Sequence, residues 1–224
     1  MKAVKPTLVL LPGTHGNGLL FGPLVQALRG WKVLVLEYPE DSGWGLNGYV
    51  DWLDAQLKKE RKTILVAESF GSLVAVRYAA KRPKTLVGLV TLGGFVRSPK
   101  RWARPWMRHL MLGPNNGLSK FLGRHFLIGM NAGARKELLL DQALGRMSKK
   151  DLLDRVEIIL ESDERAALKK IQVPIVALVG LWDRLVASAS GDDFVGARRI
   201  VLLAPHAMAL FREDQIRDAI KNLI

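Results

Sequence analysis

Residues 63–71 read Thr-Ile-Leu-Val-Ala-Glu-Ser-Phe-Gly. The first five are apolar or β-branched and predict a short strand buried on both faces. Helical spacing starts at Phe70 and runs to Lys81, where Pro83 stops it. A serine wedged between such a strand and such a helix, with small residues two before and two after it, is the context of a nucleophile elbow. Ala67 here takes the place of the first glycine of G-x-S-x-G. Small neighbours are a steric requirement, because the serine must sit in a tight turn with its hydroxyl above the sheet. The following helix also points its positive end at that position. Taken alone, five residues are equally well explained by an N-cap serine, so the rest of the chain has to decide.

Outward from this stretch the same alternation repeats. Apolar runs at 7–11, 32–36, 86–92, 174–179 and 199–203 predict five further strands. Helical spacing occupies 19–28, 49–57 and 207–223 between and after them. Continuous apolar strands separated by helices predict an α/β fold: a mostly parallel sheet of about six strands with helices on both faces. The period breaks after Phe95. Residues 96–168 carry no strand signal, and their clearest element is a helix at 148–160 with Ser148 and Asp151 placed to cap it. We therefore expect a core formed by 1–95 and 169–224, with 96–168 as a helical, basic cap inserted in it.

Charge singles out the same insertion. The 224 residues carry 34 Lys and Arg against 21 Asp and Glu, a net +13. Nine of the basic residues, and no acidic one, fall within 96–136. Arg97, Lys100, Arg101, Arg104 and Arg108 are interleaved with Trp102, Trp106 and Met107. The simplest reading is a solvated cap surface whose tryptophans close a pocket. Grip on an anionic substrate and peripheral contact with an anionic membrane are the alternatives. No nucleic-acid fold signature accompanies the charge, so sequence-specific nucleic acid is not an expected partner. Cysteine is absent, which excludes disulfides, thiolate metal sites and a cysteine nucleophile. No apolar run reaches the length of a membrane span, and the N-terminus lacks a signal-peptide core, so a cytoplasmic protein is expected.

The remaining chemistry should follow Ser69 along the chain, each group just past a strand end. Asp183 follows the run 174–179, and His206 follows 199–203. Asp192 and Asp193 are rival acids but lie further from a strand end. His15 precedes the serine in a glycine-rich loop, Leu11 to Gly18, and is read as pocket lining or surface. That loop lacks the spacing of a phosphate-binding loop. Its expected contribution is a backbone N–H, from Thr14, which with the N–H of Phe70 would form an oxyanion hole. Glu68 is read as a buried polar neighbour without a catalytic role.

With these residues in place the chain resembles the α/β-hydrolase superfamily over nearly its whole length. It looks most like small bacterial α/β-fold serine hydrolases that open with L-P-G-x-x-G-x-G. Residues 11–18, 66–71, 95–99, 173–186 and His206 carry the resemblance. It implies a cap inserted after the strand ending at Leu92, and six strands where many relatives have eight. It also implies hydrolysis of a small-molecule carboxylic ester or thioester through an acyl-enzyme on Ser69, without metal or organic cofactor. Acyl transfer to another acceptor, or a non-catalytic protein docking through its basic cap, are the competing expectations. Relatives using dehalogenase or epoxide hydrolase chemistry carry Asp at the elbow, where this chain has serine.

Overall fold

Apolar strands need cover on both faces, and the chain supplies it by crossing over after nearly every strand. The computed structural model describes residues 5–99, 124–129, 132–186 and 188–223. Six strands form one sheet: β1 (Thr7–Leu11), β2 (Val33–Val35), β3 (Thr63–Glu68), β4 (Leu86–Leu92), β5 (Ile175–Gly180) and β6 (Arg198–Leu202). Every pairing is parallel, in the order β2-β1-β3-β4-β5-β6. The order in which strands are added across the sheet reverses after β2, so the crevice at the carboxyl ends of β1 and β3 is the topological switch point, where such sheets place their sites.

The helices are α1 (Gly22–Ala27), α2 (Leu46–Leu57), α3 (Gly71–Ala80), α4 (Ala134–Gly145), α5 (Lys149–Glu161), α6 (Arg165–Leu168) and α7 (Glu213–Lys221). Alternation within β3 shows how the two layers divide. Leu65 and Ala67 pack with Val50, Leu53, Leu73 and Val76 from α2 and α3. Ile64 and Val66 pack with Leu24, Ile216 and Ile220 from α1 and α7. Both faces of the sheet are thus apolar, as the strand runs required. The edge strand β6 exposes Arg198 and Arg199, a charge pattern that discourages pairing with a further strand.

The expected elements are present with small shifts of boundary. The final helix is the exception. After His206 the chain makes a short 3-10 turn, Met208–Leu210, and the α-helix starts only at Glu213. Glu213 and Asp214 occupy its first turn, where carboxylates suit the helix dipole.

Between β4 and β5 the chain makes a long excursion. Helix α5 is capped as expected, Ser148 Oγ accepting the Asp151 N–H at 3.0 Å. The excursion is pinched at its base, where Arg97 and Asp163 form an antiparallel bridge and the Glu164 N–H donates to the Val96 carbonyl at 2.5 Å. Glu164, itself buried, also receives a two-pronged contact from Arg77 of α3. Lys100, Trp102, Trp106, Met107 and most of their basic neighbours lie outside the described residues. Among the described residues no helix is long and apolar enough to cross a membrane.

Candidate active site

Four strand ends converge on one point. Ser69 follows β3 with φ +50°, a left-handed conformation rare for a side chain larger than glycine. Holding it there stores about 1–3 kcal/mol of strain. The surroundings over-determine the turn. A Cβ on Gly71 would lie 2.7 Å from the Pro12 carbonyl and 2.9 Å from that of Leu11, so backbone packs on backbone. Buried Ser72 accepts the Phe95 N–H at 3.0 Å, and its hydroxyl lies 2.6 Å from the Ser69 carbonyl. This ties the elbow to the end of β4.

His206 follows β6 and is buried beside the serine, its Nε2 2.9 Å from Ser69 Oγ. Its Nδ1 lies 2.7 Å from Asp183 Oδ2. The other Asp183 oxygen accepts the N–H groups of Leu185 and Val186 at 2.9 and 2.8 Å. A carboxylate held this way keeps Nδ1 protonated, which leaves Nε2 free to accept the serine proton. Burial works against a charged His206, but the Asp183 carboxylate, its hydrogen bond and the more distant Glu68 outweigh it, and the pKa is raised. Gly93, with φ +55°, supplies the room: a Cβ there would stand 3.1 Å from His206 Nδ1 and 3.3 Å from Asp183 Oδ2.

The rival acids are accounted for elsewhere. Asp192 pairs with Arg199, and Asp193 with Arg97. Phe70 directly follows Ser69, and Thr14 lies in the loop after β1. Among the described residues, neither N–H donates to a backbone or side-chain acceptor. A Cβ on Gly13 would lie 3.3 Å from the Ser69 Cβ, which brings the Gly13–Thr14 peptide alongside the serine.

A second pair lies close by. His15 Nε2 and Glu68 Oε2 are 3.9 Å apart, both residues buried. Neither Glu68 oxygen nor His15 Nε2 has a hydrogen-bond partner among the described residues. Burial pushes Glu68 up to about 7, with His206 pulling it back and Asp183 pushing it further. Burial likewise pushes His15 down to about 4. His15 is therefore lining, not surface. Among the described residues no three His, Asp or Glu side chains are grouped to hold a metal ion.

Ser72, Gly93 and Arg155 were not singled out from the sequence. Nothing in the sequence hints that Gly93, just past the run 86–92, clears space for the His206–Asp183 pair. Arg155 lies one position from Val156 on α5 and is buried with it.

This constellation meets a family profile. The profile of Hydrolase_4, described as Serine aminopeptidase, S33, matches residues 45–200. The chain belongs to this family of α/β-hydrolases. It is an enzyme of hydrolase type. A pimeloyl-[acyl-carrier protein] methyl ester esterase of Shewanella woodyi is 27% identical, over 92% of this chain and 83% of its own. A protein of the same name from a second Shewanella strain is 28% identical, over 92% and 85%. In solved structures, the enol-lactonase of Burkholderia xenovorans superposes with a TM-score of 0.83 at 18% identity, over 99% of this chain and 92% of that one. That last likeness is one of fold.

Proposed function

We propose that this α/β-hydrolase cleaves a carboxylic ester or thioester through an acyl-enzyme on Ser69. The observation that carries the reading is the relay of 2.9 Å from Ser69 Oγ to His206 Nε2 and 2.7 Å from His206 Nδ1 to Asp183. In the first step His206 takes the serine proton as Oγ attacks the carbonyl carbon. The N–H groups of Thr14 and Phe70 receive the developing oxyanion. Asp183 stabilises the imidazolium that results and fixes its orientation. His206 then protonates the departing alcohol or thiol. In the second step water gives a proton to His206 as it attacks the acyl-serine, and His206 returns that proton to Ser69 Oγ as the acid leaves.

Within this reading the segment 96–168 is the cap that shapes the acyl and leaving-group sites. Its nine basic residues between 96 and 136 favour a substrate whose acyl chain arrives on an anionic carrier. The methyl ester esterases named above act, by their names, on acyl-carrier-protein substrates.

The deciding experiment is labelling with a fluorophosphonate, read by intact mass on native protein, heat-denatured protein and Ser69→Ala. One adduct on the native protein alone supports the reading. Labelling that survives in Ser69→Ala refutes it. Turnover of a short p-nitrophenyl ester, with free acid as product, separates hydrolysis from transfer to another acceptor. Turnover of anionic esters that falls with salt, while neutral esters are indifferent, supports the carrier reading.

A further inference from the structure

The loop that offers the Thr14 N–H is held at its ends, where Tyr38 donates its N–H to the Gly16 carbonyl at 2.8 Å and its hydroxyl to the Pro12 carbonyl at 3.1 Å, and Asn17 Nδ2 donates to the His15 carbonyl at 3.1 Å. It contains Gly13, Gly16 and Gly18, and glycine gives a chain its greatest freedom. Behind it lies a polar cavity of about 320 Å³, lined among others by His15, Gly16, Asn17 and Arg146, so apolar packing does not seat it there. Hydrogen bonds do. The Gly16 N–H donates to the Gly13 carbonyl at 3.1 Å, closing a four-residue turn over 13–16.

That turn aims the Thr14 N–H. The Gly13 carbonyl and the Thr14 N–H belong to one planar peptide and point in opposite directions. With the carbonyl turned inward to Gly16, the N–H is turned outward on the other side. The next peptide, joining Thr14 to His15, is the centre of the turn. Turns of types I and II differ by a flip of this central peptide, so a bond to its carbonyl selects one of them.

Arg155 makes that bond. Its Nη1 donates to the Thr14 carbonyl at 2.8 Å, across from helix α5. The side chain is 2% exposed. Its Nε donates to Tyr49 Oη at 3.1 Å. Its guanidinium lies 5.2 and 5.8 Å from the ring centres of Tyr38 and Tyr49. Asp151, one helical turn earlier, has an oxygen 3.7 Å from Nη2. Burying a guanidinium is costly unless its donors are used, and here they are aimed at the loop and at what braces it. The fit is close: a Cβ on Gly16, at φ +77°, would come within 2.5 Å of Arg155 Nη1. Asn17 adds a second tie from the loop to the same excursion, donating to the Ala143 carbonyl of α4 at 2.8 Å.

We propose that Arg155 is a positioning residue, a strut that locks the central peptide of the 13–16 turn and so keeps the Thr14 N–H at the oxyanion. Oxyanion stabilisation in the sheet core thereby depends on the seating of helix α5. The inference rests on the serine mechanism proposed above.

The test uses the full chain with Arg155→Lys, Arg155→Met, and Arg155→Met combined with Asp151→Asn, which removes the carboxylate left stranded. Loss of an oxyanion donor outright costs about 100- to 1,000-fold in kcat, and loosening one should cost about 10- to 30-fold. KM should stay within about twofold, because the loop binds the transition state more than the ground state. Affinity for a trifluoromethyl ketone, whose serine adduct carries an oxyanion, should fall by the same factor as kcat. Binding of the product acid should not change. Arg155→Lys, which keeps a donor that reaches the carbonyl, should recover part of the rate. Thermal midpoints establish that each variant is folded; if the Met variants are not, the Lys variant carries the comparison. Folded variants with full kcat, or with losses confined to KM, overturn the inference. So does a kcat loss without a matching loss of ketone affinity. Ser69→Ala is run in parallel: if it remains active, the serine mechanism itself fails, whatever Arg155 does.

Discussion

Two buried histidine–carboxylate pairs meet at the carboxyl edge of this sheet, and they are built differently. His206 and Asp183 are 2.7 Å apart, with two backbone N–H groups on the second carboxylate oxygen and Ser69 on the second ring nitrogen. His15 and Glu68 are 3.9 Å apart, and their facing atoms have no hydrogen-bond partner among the described residues. Each pair sets a buried histidine against a buried carboxylate, yet the outcomes are opposite. Burial opposes charge in both, but only the first pair has a contact and donors close enough to overcome it. His206 is consequently raised and His15 lowered to about 4. A buried histidine beside a carboxylate is thus a base with a poised proton only when the carboxylate lies within hydrogen-bond reach and is itself fixed by further donors.

The comparison is broken most severely by dismantling the first pair. His206→Ala should lower kcat by more than about 10⁴-fold, and Asp183→Asn by about 10³- to 10⁴-fold with little change in KM, measured as p-nitrophenyl ester turnover. If Asp183→Asn retains most of the wild-type rate, the orienting role fails.

Removing the charge from the second pair should act on stability. Glu68 is an acid whose folded pKa, about 7, lies above its ordinary 4.5. The folded state therefore holds more protons in that window, and stability falls as pH rises from about 4.5 to 7. Glu68→Gln should be more stable than wild type at pH 8, by an amount on the order of 2 kcal/mol, and no more stable at pH 4. Urea denaturation at the two pH values checks this. The Glu68 carboxylate also helps raise His206, so the acid limb of kcat/KM should move to lower pH in the variant.

The smallest effect concerns His15. A histidine lowered to about 4 must shed its proton to be buried, so wild type should lose stability as pH falls from 6.5 toward 4. His15→Gln should remove that part of the acid sensitivity while changing kcat by less than about threefold. A loss of activity like that of His206→Ala would mean the two pairs are not functionally distinct.

Much of this architecture could be read from the chain because its signals are local. Runs such as residues 8–11 are apolar throughout, which only a doubly covered strand tolerates. Ser69, Asp183 and His206 each lie within about four residues of a strand end, and the structure brings all three together. What the sequence hid depends on distant partners. Gly93 is ordinary until the His206–Asp183 pair is placed against it. Arg155 reads as one more cation in a basic protein, although its position beside the Leu152, Val156 and Ile159 stripe of α5 was a usable sign that it is buried. Glu68 and His15 are 53 positions apart, and no periodicity links them.

The pinch at Arg97 and Asp163 has a consequence for how this protein can change. The chain departs at Val96 and returns at Glu164 almost at the same place, and β4 and β5 remain adjacent with the register Leu89↔Ile175 through Leu92↔Leu178. The described part of the excursion meets the core at this base and at the 13–18 loop, through Arg155 and Ala143. Its length can vary at little entropic cost, since closing a longer loop adds only about 0.6 kcal/mol per doubling. A graft there need not disturb the strands that aim Ser69, Asp183 and His206. One condition attaches to any such graft: it must bring a replacement for the arginine that steadies the loop beneath it.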